Sequence, residues 1–395
     1  MLIGIVGKPN AGKSTFFKAA TLAEVAIAPY PFTTIKPNEG VGFVKVKCPE
    51  TELKTKCKPN HGFCINGSRF IPVKLLDVAG LVPGAHAGRG LGNKFLDDLR
   101  QADVLIHVVD ASGMTNEEGK PTENYDPCND VKFLEEEIDR WLYGIIGENW
   151  KVLARKAQVS EEKPIAILAK QFSGLKITEN MIKQAIKNCN LPELFSLWND
   201  EQLLAFVREL RKLSKPMIIA ANKADIAKAE ENIKKLKEEF PHLIVVPCSA
   251  ESELALREAA KDNKIDYIPG EKNFKIHEEK LTEQQKSALN FIKEKVLDVY
   301  GSTGVQQCLN EAVFSLLKYI VVYPVENENH FSDSKGNVLP DAILMPEGST
   351  ALQLAFAIHT EIGENFIAAI DARTHKRLAK DYQLKNSDII KIMTK

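Results

Sequence analysis

With 395 residues, 44% hydrophobic and 27% charged, the chain has room for two or three domains and the composition of an ordinary globular protein. A formal net charge of −1 excludes nucleic-acid binding through an overall field and confines any RNA contact to a local patch. Seven cysteines without a paired secretory pattern, no apolar run of membrane length and a first strand starting at Leu2, which leaves no room for a signal peptide, set the expectation of a reducing cytoplasm.

The apolar run 2–6 reads as a buried strand, and 15–22 as a helix. Between them stands GKPNAGKS at 7–14, the pattern G-x-x-x-x-G-K-S in the strand–turn–helix setting of a phosphate-binding loop. Gly7 and Gly12 permit backbone angles and close approaches that a Cβ would block, so N–H groups can line a nest for phosphate. Phosphate contacts are expected from Gly7, Asn10, Ala11, Gly12, Lys13, Ser14 and Thr15, with Lys13 bridging β- and γ-phosphate oxygens and Ser14 placing its hydroxyl on Mg²⁺.

Three prolines in 29–37 forbid a helix there. Thr34, or its neighbour Thr33, is the candidate to complete the Mg²⁺ shell and meet the γ-phosphate. Strands at 40–47 and 69–76 read as a hairpin-like pair around a polar excursion containing Cys48, Cys57, His61 and Cys64. Three thiols and an imidazole have the donor types of a zinc site, but the spacing lacks a C-x-x-C pair, so reduced loop cysteines are the expectation rather than zinc.

The second strand delivers Asp77-Val78-Ala79-Gly80, a D-x-x-G turn. Asp77 is expected to hold Mg²⁺ through water, and the Gly80 N–H to bind the γ-phosphate. Leu81 stands where a water-orienting glutamine is found in Ras-type switches and cannot do that work. In the four-glycine loop that follows, His86 and Arg89 either reach the phosphates or are ordinary solvated residues; His86 is carried with Lys13 and Gly80 as a catalytic candidate.

A helix at 93–101 and a buried strand at 104–110 come next, with His107 expected as a core histidine, then a polar, turn-rich stretch at 112–127. Helical patterns fill 130–213, read as an insertion of two long antiparallel, coiled-coil-like helices. The strand 216–221 ends in N-K-x-D at 222–225. Asp225 is an acceptor-only carboxylate suited to the guanine N1 and N2 hydrogens, Asn222 is expected on the N7/O6 edge, and Lys223 lies between them. Adenine offers no such donors and leaves the carboxylate unpaired, so the expected ligand is GTP. The strand 244–247 leads to Ser249-Ala250, where a backbone N–H is expected on guanine O6. Helices at 251–261, 283–300 and 305–317 precede strands at 319–325, 342–345, 366–371 and 389–394 and a helix at 350–361, the order of a small β-grasp module.

Taken together, GKPNAGKS at 7–14, YPFTTIKPN at 30–38, DVAGLVPGAHAGRGLGN at 77–93, NKAD at 222–225 and the C-terminal segment resemble the YchF (Obg-like ATPase) subfamily of translation-factor-class P-loop GTPases, archaeal in type. The resemblance implies an α/β fold with a mostly parallel G-domain sheet, a helical arm, and a C-terminal TGS domain. The expected organisation is a first G-domain part at 1–125, the insertion at 126–212, the second part with connecting helices at 213–318, and the TGS-like β-grasp domain at 319–395. It also implies ribosome or other RNA partners and no membrane. Many members carry an altered base motif and prefer ATP, whereas this chain keeps Asp225, which favours GTP with ATP as the alternative.

Leu81 matches the family's hydrophobic replacement of the catalytic glutamine, so hydrolysis is expected to be slow. Asn10 resembles the asparagine that holds K⁺ near the phosphates in some glutamine-less GTPases. Two readings follow: a slow GTP/GDP switch, or an RNA-binding module whose hydrolysis is incidental.

Overall fold

The computed structural model describes residues 1–22, 38–78, 92–159 and 163–395. Its central sheet has the order β2-β4-β1-β5-β6-β7, with β3 added on β4. The strands are β1 (Leu2–Val6), β2 (Glu39–Lys47), β3 (Phe63–Ile65), β4 (Ser68–Asp77), β5 (Val104–Asp110), β6 (Met217–Asn222) and β7 (Ile244–Pro247). β4, β1, β5, β6 and β7 are parallel neighbours; β2 and β3 run antiparallel to β4. Parallel strands covered on both faces must be apolar throughout, and every residue of β5 is buried.

The pleat divides those side chains between two cores. Val104, Ile106 and Val108 of β5 join Ile3, Ile5, Ile218 and Val246 on one face, while Leu105 and Val109 join Val6, Ile219 and Ala221 on the other. The first face packs on α1 (Lys13–Thr21) and on elements near the C-terminus. The second carries α3 (Gly92–Gln101), which follows the short α2 (Glu50–Leu53), and the helical insertion.

Among the described residues, that insertion holds five α-helices rather than two long ones: α4 (Cys128–Gly147), α5 (Trp150–Val159), α6 (Pro164–Gln171), α7 (Glu179–Asn188) and α8 (Asp200–Ser214). Pro164 at a helix start and the caps Thr178 and Asn199 divide what periodicity alone joins. Trp150, Phe195, Trp198 and Phe206 cluster between them, so the segment has a core of its own. α4 and α8 do run antiparallel, since Arg211 meets Glu135 and Asp139 while Arg208 reaches Asp139.

α9 (Ala229–Glu239) and α10 (Ala250–Lys261) complete the parallel layer, followed by a hairpin, β8 (Ile265–Tyr267) and β9 (Phe274–Ile276), that the sequence reading lacked. The expected helix 283–300 is present as α11 (Glu283–Ile292), a π segment and α12 (Asp298–Tyr300); α13 (Val305–Asn310) likewise continues into a π segment. The C-terminal sheet has the order β11-β10-β14-β12-β13, with β10 (Tyr319–Val325), β11 (Ile343–Pro346), β12 (Phe366–Asp371), β13 (Lys376–Leu378) and β14 (Asp388–Thr394). β13 was not expected, and the single helix at 350–361 is α14 (Ala351–Ile358) followed by α15 (Thr360–Glu364). Alternate residues of β10 serve different partners: Ile320 and Val322 pack under α14, whereas Val321 and Tyr323 enter the core shared with the large sheet.

Candidate nucleotide site

Ligands of open parallel sheets sit at the carboxyl ends of the strands, and here β1, β5, β6 and β7 end side by side. β1 hands the chain to the loop at 7–12. A Cβ on Gly7 would stand 2.5 Å from the Val108 carbonyl oxygen, and one on Gly12, whose φ is +94°, would stand 2.2 Å from Asn222 Nδ2. Both positions therefore require glycine, and the resulting cradle opens at the N-terminus of α1. Ser14 is exposed, Thr15 half-buried and Ala11 buried. The Lys13 ammonium pairs with the Asp77 carboxylate at the end of β4, so the two expected phosphate and Mg²⁺ groups converge. The exposed Ser14 hydroxyl, next in sequence to Lys13, and the Asp77 carboxylate are oxygen donors of the kind that fits a hard divalent cation.

The loop's outer rim is braced by the turn-rich stretch after β5. Lys8, only 5% exposed, pairs with Asp130 at 2.9 Å, donates to the Thr115 carbonyl oxygen at 2.8 Å and lies over the Tyr125 ring. Asn10, with φ +61°, donates from Nδ2 to the Gly119 carbonyl oxygen at 3.0 Å. Asp110 accepts from Thr115 Oγ1 at 2.6 Å and from Lys223 Nζ at 2.8 Å. Burial pushes its carboxyl up, but hydrogen bonds from Lys223, Ser112 and Thr115 outweigh that and hold it below the ordinary range. Next to this group His107 is fully buried; desolvation, with Lys8 adding to it, pushes its imidazole down to about 3, so it is a neutral core residue.

At the base end Asn222 is 3% exposed and both ends of its amide are occupied. Nδ2 donates to the Ala11 carbonyl oxygen at 2.9 Å, and Oδ1 accepts from the Ala250 N–H at 3.0 Å. Asn222 thus ties the phosphate loop to the end of β7, and its Nδ2 carries a second hydrogen beyond the one given to Ala11. The Ser249 and Ala250 amides are also taken, the first by the Thr303 carbonyl oxygen, the second by Asn222. Lys223, at φ +63°, turns its ammonium onto Asp110. Asp225 remains half-buried, just past these fixed groups.

The comparisons with known proteins agree with this layout. Residues 2–143 match a family described as 50S ribosome-binding GTPase, 220–327 the G4 motif-containing domain of Obg-like GTPase YGR210-like, and 335–394 the TGS domain. A GTP-binding protein of Methanocaldococcus jannaschii is 56% identical, over 100% of this chain and 99% of its own. The chain belongs to the YchF-type, Obg-like GTP-binding proteins. Another GTP-binding protein of this family, from Schizosaccharomyces pombe, is 40% identical over 90% of this chain and 89% of its own. The crystal structure of a GTP-binding protein from Pyrococcus horikoshii superposes with a TM-score of 0.80 at 45% identity, each chain fully covered. The S. pombe YchF GTPase structure, at 20% identity and TM-score 0.57 over 100% of this chain and 97% of that one, shares the fold.

For this family member, sequence reasoning singled out Gly7, Gly12, Lys13, Ser14, Asp77 and Asp225 as candidates and did not include the bracing residues Lys8, Asp110, Thr115, Gly119 and Asp130. Asp110 carried a signal, a lone carboxylate closing a strand that is buried throughout. Thr33, Thr34, Gly80, Leu81, His86 and Arg89 lie outside the described residues. The donor set expected around the cysteines also changes: Cys48, Cys57 and Cys64 converge with Glu50, while His61 faces Asp341 at 4.0 Å.

Proposed function

We propose that the protein is a Mg²⁺-dependent GTPase of low intrinsic rate that acts as a nucleotide switch on ribosomes or other RNA in the cytoplasm. The observation that carries the base assignment is the contrast between Asp225 and its neighbours: Asn222 bonds Ala11 and Ala250, Lys223 pairs with Asp110 and the Ser249 N–H bonds Thr303, whereas no such bond engages the Asp225 carboxylate among the described residues, which leaves it to choose the base. An acceptor-only group selects the N1–H and N2–H donors of guanine and is left unpaired by adenine.

The chain's own groups divide the work. Loop N–H groups and Lys13 would hold the phosphates, and Ser14 and Asp77 would hold Mg²⁺, which when bound would supply charge neutralisation for the phosphates. Lys13 must exchange its Asp77 partner for phosphate, which couples ligand arrival to the end of β4 and to the segment after it. Thr34 and Gly80 are proposed to close on the γ-phosphate and to release on hydrolysis. With leucine at 81, a K⁺ at Asn10 is proposed to supply transition-state charge. The RNA partner is supported by the matching family's description as ribosome-binding and by the TGS match; cosedimentation with ribosomes that differs between GTP and GDP supports the switch, and equal cosedimentation favours the module with incidental hydrolysis. The base assignment is tested by Asp225→Asn, which should weaken GTP roughly a hundredfold while xanthosine triphosphate binding improves. GTP affinity unchanged in that variant would remove Asp225 from the role.

A further inference from the structure

We propose that Cys48, Cys57, Cys64 and Glu50 form a tetrahedral site for a thiophilic divalent cation, zinc, which pins the 48–64 excursion against the C-terminal domain. The four donors come from four local structures: the end of β2, the first residue of α2, the loop after it, and β3. One donor atom from each lies within 4.8 Å of every other. A zinc ion with sulfur ligands at about 2.3 Å needs donors about 3.8 Å apart, so a small contraction closes the site. Glu50 is already set for the fourth position. Its Oε1 lies 3.2 Å from Cys64 Sγ, while Oε2 accepts the Cys57 backbone N–H at 2.8 Å. One oxygen is thus free to ligate while the other is held by the chain, the orienting arrangement that metal-binding carboxylates use.

The surroundings call for negative charge. Arg69 is the register partner of Cys64 and is fully buried. Its Nη1 and Nη2 donate to the Leu339 and Pro340 carbonyl oxygens, no carboxylate pairs with it among the described residues, and its Nε has no partner. A guanidinium cannot give up its proton, so a buried one needs a compensating anion. Three thiolates and a carboxylate around a divalent cation remain net negative and supply it. Tyr323, also fully buried, has a hydroxyl without a partner that feels the charges of Cys48, Cys57, Cys64 and Arg69. Both orphans are donors, and thiolate sulfur accepts.

The position explains what the metal would do. Lys58 and Asn60 of the excursion donate backbone N–H groups to the Val338 and Pro340 carbonyl oxygens, and Glu52 pairs with Arg373. The excursion is therefore the strap between the large sheet and the C-terminal domain. Soft thiolates select zinc over the Mg²⁺ of the nucleotide site, so the two sites do not compete for one ion.

The test uses the full chain, purified without an affinity tag or chelator in reducing buffer from zinc-supplemented medium. Elemental analysis should find about one zinc per chain in the wild type and in Cys189→Ser, and almost none in the Cys57→Ser/Cys64→Ser double variant, which retains GTP binding. Glu50→Gln should release zinc to a chromophoric chelator at least about tenfold faster. Should the double variant not fold, the wild type alone decides. After zinc is stripped, added Co²⁺ should produce thiolate-to-metal charge-transfer bands and the strong visible absorption of a tetrahedral site. Wild type holding no more zinc than the double variant, a Co²⁺ titration without those bands, or a disulfide between two of the thiols in the freshly purified protein would each overturn the assignment.

Discussion

At the phosphate end of the nucleotide site, β1 delivers a loop whose polar groups remain accessible: Ser14 and Asn10 are exposed, and the Lys13 ammonium holds a carboxylate it can exchange. At the base end, β6 and β7 deliver groups that already bond within the protein. Asn222, Ser249 and Ala250 are almost fully buried and pair with the protein itself. One end offers backbone geometry and an exchangeable ammonium; the other is a buried, hydrogen-bonded frame beside the half-buried Asp225 carboxylate. On the function proposed above, affinity comes mainly from the first end and base choice mainly from the second. Lys8 and Lys13 repeat the contrast within five residues, the first buried on Asp130 as a brace, the second available.

Substitutions can break that division. The largest effect belongs to Lys13→Ala, which should lower GTP turnover by about a hundredfold or more and weaken GTP and ATP alike, measured by single-turnover hydrolysis and titration. A change in base preference in that variant would contradict the split. Asn222→Ala comes next. It leaves the Ala11 carbonyl and the Ala250 N–H unpaired in a buried place, so urea unfolding should show a loss of about 2–4 kcal/mol. Affinity for GTP and GDP should fall together. If stability holds and only the GTP-to-ATP ratio moves, Asn222 reads the base after all.

Why does the sequence point to Gly7, Gly12, Lys13 and Asp225 but not to the internal bonds of Asn222? The glycines are dictated by local backbone geometry and the charged groups by ligand chemistry, and both are written within a few adjacent residues. The Asn222 amide bonds partners 211 and 28 residues away, and no local pattern encodes that. The same holds for Lys8 with Asp130, and for Glu50, whose place among the thiols depends on how α2 sits over β3. The sheet was legible because β1, β5 and β6 are buried on both faces and must be apolar throughout. The five-helix insertion was not, because helical periodicity continues through breaks that only Pro164, Thr178 and Asn199 mark. β8, β9 and β13 are three residues each, too short for an alternation to register.

A smaller effect probes the brace behind the phosphate loop. His107 is held neutral at about 3 against an ordinary value of 6.5. Its folded form resists protonation that the unfolded chain accepts, so stability is complete above pH 6.5 and is lost as pH falls from there towards 3. The loss should approach about 1.4 kcal/mol per pH unit from this group, and His107→Gln should flatten that slope in urea unfolding. An unchanged slope would mean that the imidazole does not control acid lability. The smallest effect is ionic: hydrolysis should be severalfold faster in KCl than in NaCl if Asn10 holds K⁺ despite its bond to Gly119, and equal rates would remove that ion from the mechanism.

Competition between nucleotides tests the central division most directly. A fluorescent guanine nucleotide bound to the Mg²⁺-loaded full chain should be displaced by GTP and GDP at similar concentrations, and by ATP only at concentrations at least about a hundredfold higher. Displacement by ATP as readily as by GTP would show that the carboxylate at 225 does not select the base, and the account of the base end would fail.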